Sequence, residues 1–250
     1  MFEEYLPTHQ AEEGDSVYAD AINHCKNYHS YLVPGSQTSS VHEITHGINA
    51  DLRNQRLVIK RLPSPIDKVD HTLWIADEPV TSRRNAFYLL KNRAIRIDEP
   101  NCRKSDASEF IPQTFRGYRY GLYVAGQREW DDTPLYLYDE WSAYANGAMN
   151  VIDASSRNEY RDGNTDYIAA PVEFIAYGLG VCMAAHKANS LSETLRDFTL
   201  WMILQTQFIF IQGMKVLPWK DAEKTWSKLF VESEGKDYRS FLQDVLGYTI

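Results

Sequence analysis

His42-Glu43-Ile44-Thr45-His46 constrains this chain more than any other stretch. Residues four apart on an α-helix lie one turn above each other on the same face. Two imidazoles at that spacing can therefore converge on one metal ion, with Glu43 in reach of a water on that ion. With this composition the pattern arises by chance on the order of once in a hundred such chains, before a helical context is required. Ser40 and Glu43 have capping-box spacing, and the helix is expected from Val41 to about Arg53. Val41, Ile44, Ile48 and Leu52 follow the spacing of a core-facing stripe, opposite in character to the polar approach through Thr38 and Ser39. Gly47, directly after the second imidazole, is either a packing glycine or a point of close approach.

Two imidazoles leave zinc short of the three protein ligands that catalytic sites supply beside an open water position. Asn49 and Leu52 occupy the places where the longer H-E-x-x-H-x-x-G-x-x-H pattern needs Gly and His, so the third ligand must come from further along. Two carboxylates share an E-x-x-A-Y pattern: Glu140, in Glu140-Trp141-Ser142-Ala143-Tyr144, and Glu173, in Glu173-Phe174-Ile175-Ala176-Tyr177. Glu140 is preferred because it follows an aromatic loop suited to covering a cleft. Glu173 is the alternative, although it heads an apolar helix in which a carboxylate is expected to pair with an Arg or a backbone amide.

On these residues the chain resembles the gluzincin branch of the zinc metallopeptidases, in which a Glu on a later helix is the third ligand. The resemblance is specific over His42 to His46 and suggestive around Asp139 to Tyr144. It implies an α+β, zincin-like fold, a mixed sheet with the metal-binding helix followed by a mainly helical C-terminal half. It also implies Zn2+ held by His42, His46 and Glu140, and a protein or peptide substrate cleaved with Glu43 as general base. Candidate groups to hold the oxyanion are Tyr144 and Tyr120, with Tyr123 and Arg116 behind them. Two departures stand out: the long gap from His46 to Glu140 implies an inserted hairpin region, and Tyr144 stands where several families carry an Asp four residues after the ligand Glu. The alternatives are a catalytically silent zincin-fold binding or scaffold protein and a non-metal α/β protein in which the motif is coincidental; intact Glu43 favours the enzyme over the silent zincin, since a site kept for structure needs no base. His9, His24, His29, His71 and His186 are expected to be surface or core residues, with His71 or His186 best suited to orienting a ligand.

The rest of the chain is expected to form one compact catalytic unit with a sheet-containing half at 1–133 and a helical half at 134–250. A helix at 15–26 precedes a strand-like run at Tyr28–Val33. Strands are expected at Leu57–Ile59, Thr72–Ala76, Ala86–Leu90 and Ala94–Ile97, the last two forming a hairpin, with a further short strand at Tyr118–Val124. Helices are then expected from Pro134, from Pro171 as first helical residue, from a Ser190/Glu193 capping box, and at 219–232 and 236–246. A net charge of -8 with no Lys/Arg cluster argues against nucleic acid or an anionic membrane as the main partner. The most apolar run, Thr199–Ile211, is too short to span a bilayer and reads as a buried helix. Three widely spaced cysteines form no metal-binding pair and allow at most one disulfide, and the first residues lack the features of a secretory signal.

Overall fold

The computed structural model describes residues 2–5, 16–54, 58–62, 74–75, 84–161, 166–217 and 220–248. The expected strand residues 57, 72, 73 and 76, together with His9 and His71, lie outside them. The chain divides into two compact units, one made of Met1–Asp98 with Ser142–Tyr167 and the other of Glu99–Trp141 with Ile168–Ile250. The division falls after Asp98 and inside a helix, between Trp141 and Ser142 and again between Tyr167 and Ile168.

In the first unit, helix α1 (Val17–His24) leads through a 3-10 turn at Tyr28–Tyr31 to helix α2 (Gln37–Asn54). The turn replaces the strand expected at Tyr28–Val33. Its Tyr31 ring covers Gly47, where an added Cβ would come within 2.6 Å of the ring, so this glycine is used for packing. Helix α2 starts earlier than the Ser40/Glu43 spacing suggested. The Ser36 hydroxyl takes the capping role, accepting from the Ser39 amide at 3.1 Å. Ser40 is buried inside the first turn, where its hydroxyl donates to the Ser36 carbonyl and accepts from the Val33 amide. The stripe Val41, Ile44, Ile48 and Leu52 is buried as expected, packed with Ala21, Ala86 and Tyr88.

Strands β1 (Phe2–Tyr5), β2 (Val58–Leu62), β3 (Trp74–Ile75), β4 (Arg84–Tyr88) and β5 (Arg93–Asp98) form a sheet of order β3-β2-β1-β5-β4 in which every pairing is antiparallel. β4 and β5 are the expected hairpin, with Tyr88 opposite Ala94. Its turn places Leu90, Lys91 and Asn92 at φ of 62°, 51° and 62°, a left-handed conformation unfavourable for side chains other than glycine. A buried polar cluster on α1 offsets that cost. Asp20 accepts from the Lys91 amide at 2.9 Å and from the Tyr88 hydroxyl at 2.7 Å, and His24 Nε2 meets Asn92 Oδ1 at 2.7 Å.

The second unit is built on helices. A short helix α3 (Lys104–Ala107), 3-10 turns and a π-helical turn at Tyr120–Val124 occupy 99–133, where loops and a strand were expected. The alternation at Tyr118–Val124 misled because burial there is not alternate: Tyr123 and Val124 are buried together, while Tyr118 and Leu122, one turn apart, are exposed. Helix α4 (Tyr136–Ser156) begins in this unit and ends in the first. Helix α5 (Asp166–Lys187) starts a turn and a half before Pro171, which lies in its interior. Burial of Ile168, Ala170, Val172 and Phe174 around that proline offsets its missing hydrogen bond. Helix α6 (Glu193–Val216) is capped by Ser192, whose hydroxyl accepts from the Leu195 amide, and not by Ser190. Helices α7 (Lys220–Phe230) and α8 (Lys236–Asp244) close the chain.

The core of this unit forms around α4. Tyr138 and Trp141 are fully buried; the Trp141 indole donates to Thr206 at 3.0 Å, and Tyr138 meets Thr199 at 2.6 Å and Cys182 at 3.3 Å. Gly178 leaves room for the indole, since a Cβ there would stand 2.5 Å from it. Burial raises the Cys182 thiol to about 11, partly opposed by the Thr199 and Tyr138 hydrogen bonds. Among the described residues α5, and not Thr199–Ile211, is the helix long and apolar enough to cross a membrane, but 89% of its apolar window is buried inside the protein.

These elements correct the fold class. Helix accounts for most of the described residues and the sheet is antiparallel throughout, so the protein is mostly helical and not a mixed-sheet, zincin-like α+β fold.

Candidate metal centre

Helix α2 presents His42 and His46 one turn apart, with their Nε2 atoms 3.2 Å from each other and their rings at 79°. Two imidazole nitrogens bound to a tetrahedral zinc at the usual bond length stand about 3.3 Å apart, so the separation fits one shared ion. The ligand atoms of His42, His46 and Glu140 all lie within 4.8 Å of one another. Glu140 precedes Tyr144 by one turn of the continuous helix α4, and Tyr144 meets the His42 ring edge-on at 4.4 Å. His42 and Glu140 are buried and His46 is half-buried, a setting that favours binding through exclusion of water.

The imidazoles owe their register to side-chain amides. Asn49 donates to Ser142, Asn146 to Thr45 and Asn150 to Thr38, each at 3.2 Å, so α2 and the later turns of α4 run antiparallel. Asn49 also accepts from the Tyr88 amide at 2.7 Å, and Asn146 donates to the Tyr88 carbonyl at 3.0 Å. The end of β4 is thereby tied to both helices. Gly147 admits the Tyr167 ring, which lies 6.1 Å from His42 and donates its hydroxyl to Ser39.

The carboxylate of Glu140 is oriented by its own helix. Tyr136, one turn earlier, donates its hydroxyl to Glu140 Oε1 at 2.6 Å. Burial first, then the adjoining Glu140, raises the pKa of that hydroxyl far above its ordinary value and keeps it a donor. Glu173 is engaged elsewhere, 2.8 Å from the Arg119 guanidinium and 3.5 Å from the Tyr177 hydroxyl.

Of the other groups singled out from the sequence, Glu43 is exposed beside His42 and is not one of the three converging ligands. Tyr144 lies against His42. Tyr120 packs by Tyr177 and under the Arg116 guanidinium, and Arg116 also donates to the carbonyls of Ile111 and Ser108. Tyr123 faces Phe174 and Tyr136. His24 belongs to the hairpin cluster, His29 lies against the Tyr28 ring and His186 meets Phe241 edge-on. Sequence reasoning missed Tyr136, Tyr167, Asn49 and Asn146. Tyr136 had a usable signal, its one-turn spacing from Glu140; the amides had none, because their partners are remote in sequence.

No protein-family model, curated protein or solved structure matches the chain.

Proposed function

We propose that the chain is a zinc-dependent hydrolase that cleaves peptide bonds, with His42, His46 and Glu140 as metal ligands and Glu43 as general base. The observation that carries this reading is the convergence of two imidazoles and one carboxylate beside an exposed acid. This ligand set fits zinc in number, type and nitrogen spacing. Zinc held this way would lower the pKa of a bound water to about 7 and polarise a substrate carbonyl. Glu43 takes the proton of the attacking water and delivers it to the leaving amine, a role that its exposed position beside His42 allows. Tyr144, in edge contact with His42, is the nearest of the sequence-derived candidates to donate to the developing oxyanion. Tyr120, held by Tyr177 and Arg116, is the weaker candidate.

A second reading, a metal-binding module without catalysis, keeps the same ligand trio and differs only in giving Glu43 no chemistry. One variant separates the two. Glu43→Gln should keep about one zinc per chain while hydrolysis of a peptide library falls roughly 10²–10⁴-fold. Unchanged cleavage would remove Glu43 as the base, and no cleavage by the zinc-loaded wild type would favour the silent module. In the same metal analysis Glu140→Ala should lose zinc and Glu173→Ala should retain it.

A further inference from the structure

We infer that Tyr136 is a positioning residue for the metal centre, fixing Glu140 as a ligand, and that a buried lysine-closed turn exists to hold Tyr136 in place. The inference rests on the metal-site reading and extends it to residues that touch no ion.

A free glutamate side chain samples many rotamers, and ordering it on binding a cation costs free energy. The hydrogen bond from Tyr136 to Glu140 Oε1 fixes the carboxylate before any ion arrives. A carboxylate oriented through one oxygen can ligate through the other, the arrangement by which outer hydrogen bonds tune metal affinity. Tyr136 is itself held on several sides. Its ring stacks on Trp130 at 5.4 Å and 11°, Tyr123 closes one side at 6.4 Å, and the Lys104 ammonium lies 5.7 Å from the ring centroid.

Gln127 opens the turn that carries Trp130, accepting from the Trp130 amide at 3.1 Å, and does so from an unusual backbone. Its φ of 48° is left-handed, and the preceding Gly126 is so confined that a Cβ would stand 2.5 Å from the Leu122 carbonyl oxygen. The buried Lys104 ammonium stabilises this turn by donating to the carbonyls of Tyr123 and Gly126 at 2.6 Å and of Gln127 at 3.1 Å. Taking an ammonium out of water to close a loop is costly. What the turn delivers is the Trp130 ring stacked on Tyr136, with Tyr123 beside it and the Lys104 ammonium over the same ring. The turn closed by Lys104 thus ends, through the Tyr136 hydroxyl, on a proposed ligand.

Tyr136→Phe keeps the ring and its stack on Trp130 and deletes the hydroxyl. Zinc affinity of the full chain, measured by chelator competition, should fall roughly 10–100-fold, and the visible spectrum of the cobalt-loaded protein should change. Circular dichroism of the metal-free chain should be unchanged. Trp130→Ala removes the stacked ring, leaves the Tyr136 hydroxyl in place and should weaken zinc binding in the same direction by roughly threefold. A Tyr136→Phe protein that binds zinc within about twofold of wild type, with the same cobalt spectrum, overturns the role of Tyr136 and leaves the metal site standing. If that variant does not fold, Trp130→Ala decides, and unchanged affinity there overturns the inference. Wild type that takes up neither ion overturns the metal-site reading and this inference with it.

Discussion

Helix α4 takes part in two seams of opposite chemistry. Its later turns meet α2 through Asn49, Ser142, Thr45, Asn146, Thr38 and Asn150, all buried and joined by hydrogen bonds. Its first turns pack through Tyr138 and Trp141 among Phe198, Gly178 and Thr206 in the second unit. Hydrogen bonds are directional, and a slip of one residue along the polar seam would leave several buried amides without partners at once. Apolar packing gains more free energy per side chain but tolerates small shifts. The imidazoles sit on the seam that specifies position, where a metal centre needs accuracy. The largest buried rings of α4, Tyr138 and Trp141, lie on the other.

The comparison can be broken at either seam. Trp141→Ala should have the largest effect, a loss of about 3–5 kcal/mol in denaturant unfolding from the vacated cavity beside Gly178. A loss below about 1 kcal/mol would show that the indole is not the anchor of that seam.

Cys182 probes the same apolar region through pH. Its folded pKa of about 11 lies above the ordinary 9.0, so the unfolded chain ionises first as pH rises. The contribution is fully present below pH 9 and is lost as pH climbs through about 11, by roughly 2–3 kcal/mol at the upper end. Urea melts across this window should show the decline in wild type and a shallower one in Cys182→Ala; parallel slopes would contradict the assignment.

On the polar seam, Asn49→Ala removes partners from the Tyr88 amide and from Ser142. It should cost about 1–3 kcal/mol and weaken zinc binding as well, because α2 loses a register contact. A pure stability loss with unaltered metal affinity would separate the seam from the site. The smallest effect belongs to the helix start. Ser36→Ala should cost about 1 kcal/mol by removing the cap that serves the Ser39 amide, with Ser192→Ala on α6 as the matching test in the second unit.

How much of this could be read in advance varied with how local the cause was. The hairpin was legible because Ala86–Leu90 and Ala94–Ile97 carry their own pairing pattern, and the stripe Val41, Ile44, Ile48, Leu52 because helix period alone sets it. The cap of α2 was misassigned by one turn, since Ser36 and Ser40 are both serviceable and only the burial of Ser40 decides between them. The strand expected at Tyr118–Val124 failed because residues alternating in polarity were in fact sorted by a helical turn. The zincin-like sheet failed for a similar reason: a five-residue motif constrains one helix and says little about the layers around it.

By itself the sequence determined that His42 and His46 share one helix face with an acid beside them, because a period of 3.6 residues leaves no other arrangement once the segment is helical. It favoured Glu140 over Glu173 for its aromatic approach and left Glu173 as the alternative, since their local patterns match. Tertiary structure gives the two carboxylates different surroundings. Arg119 engages Glu173 at 2.8 Å, Tyr136 orients Glu140 at 2.6 Å, and antiparallel amide pairs bring α4 alongside α2. Those partners lie up to about a hundred residues apart in the chain, and contacts at that range depend on how every intervening element packs, which no local pattern encodes.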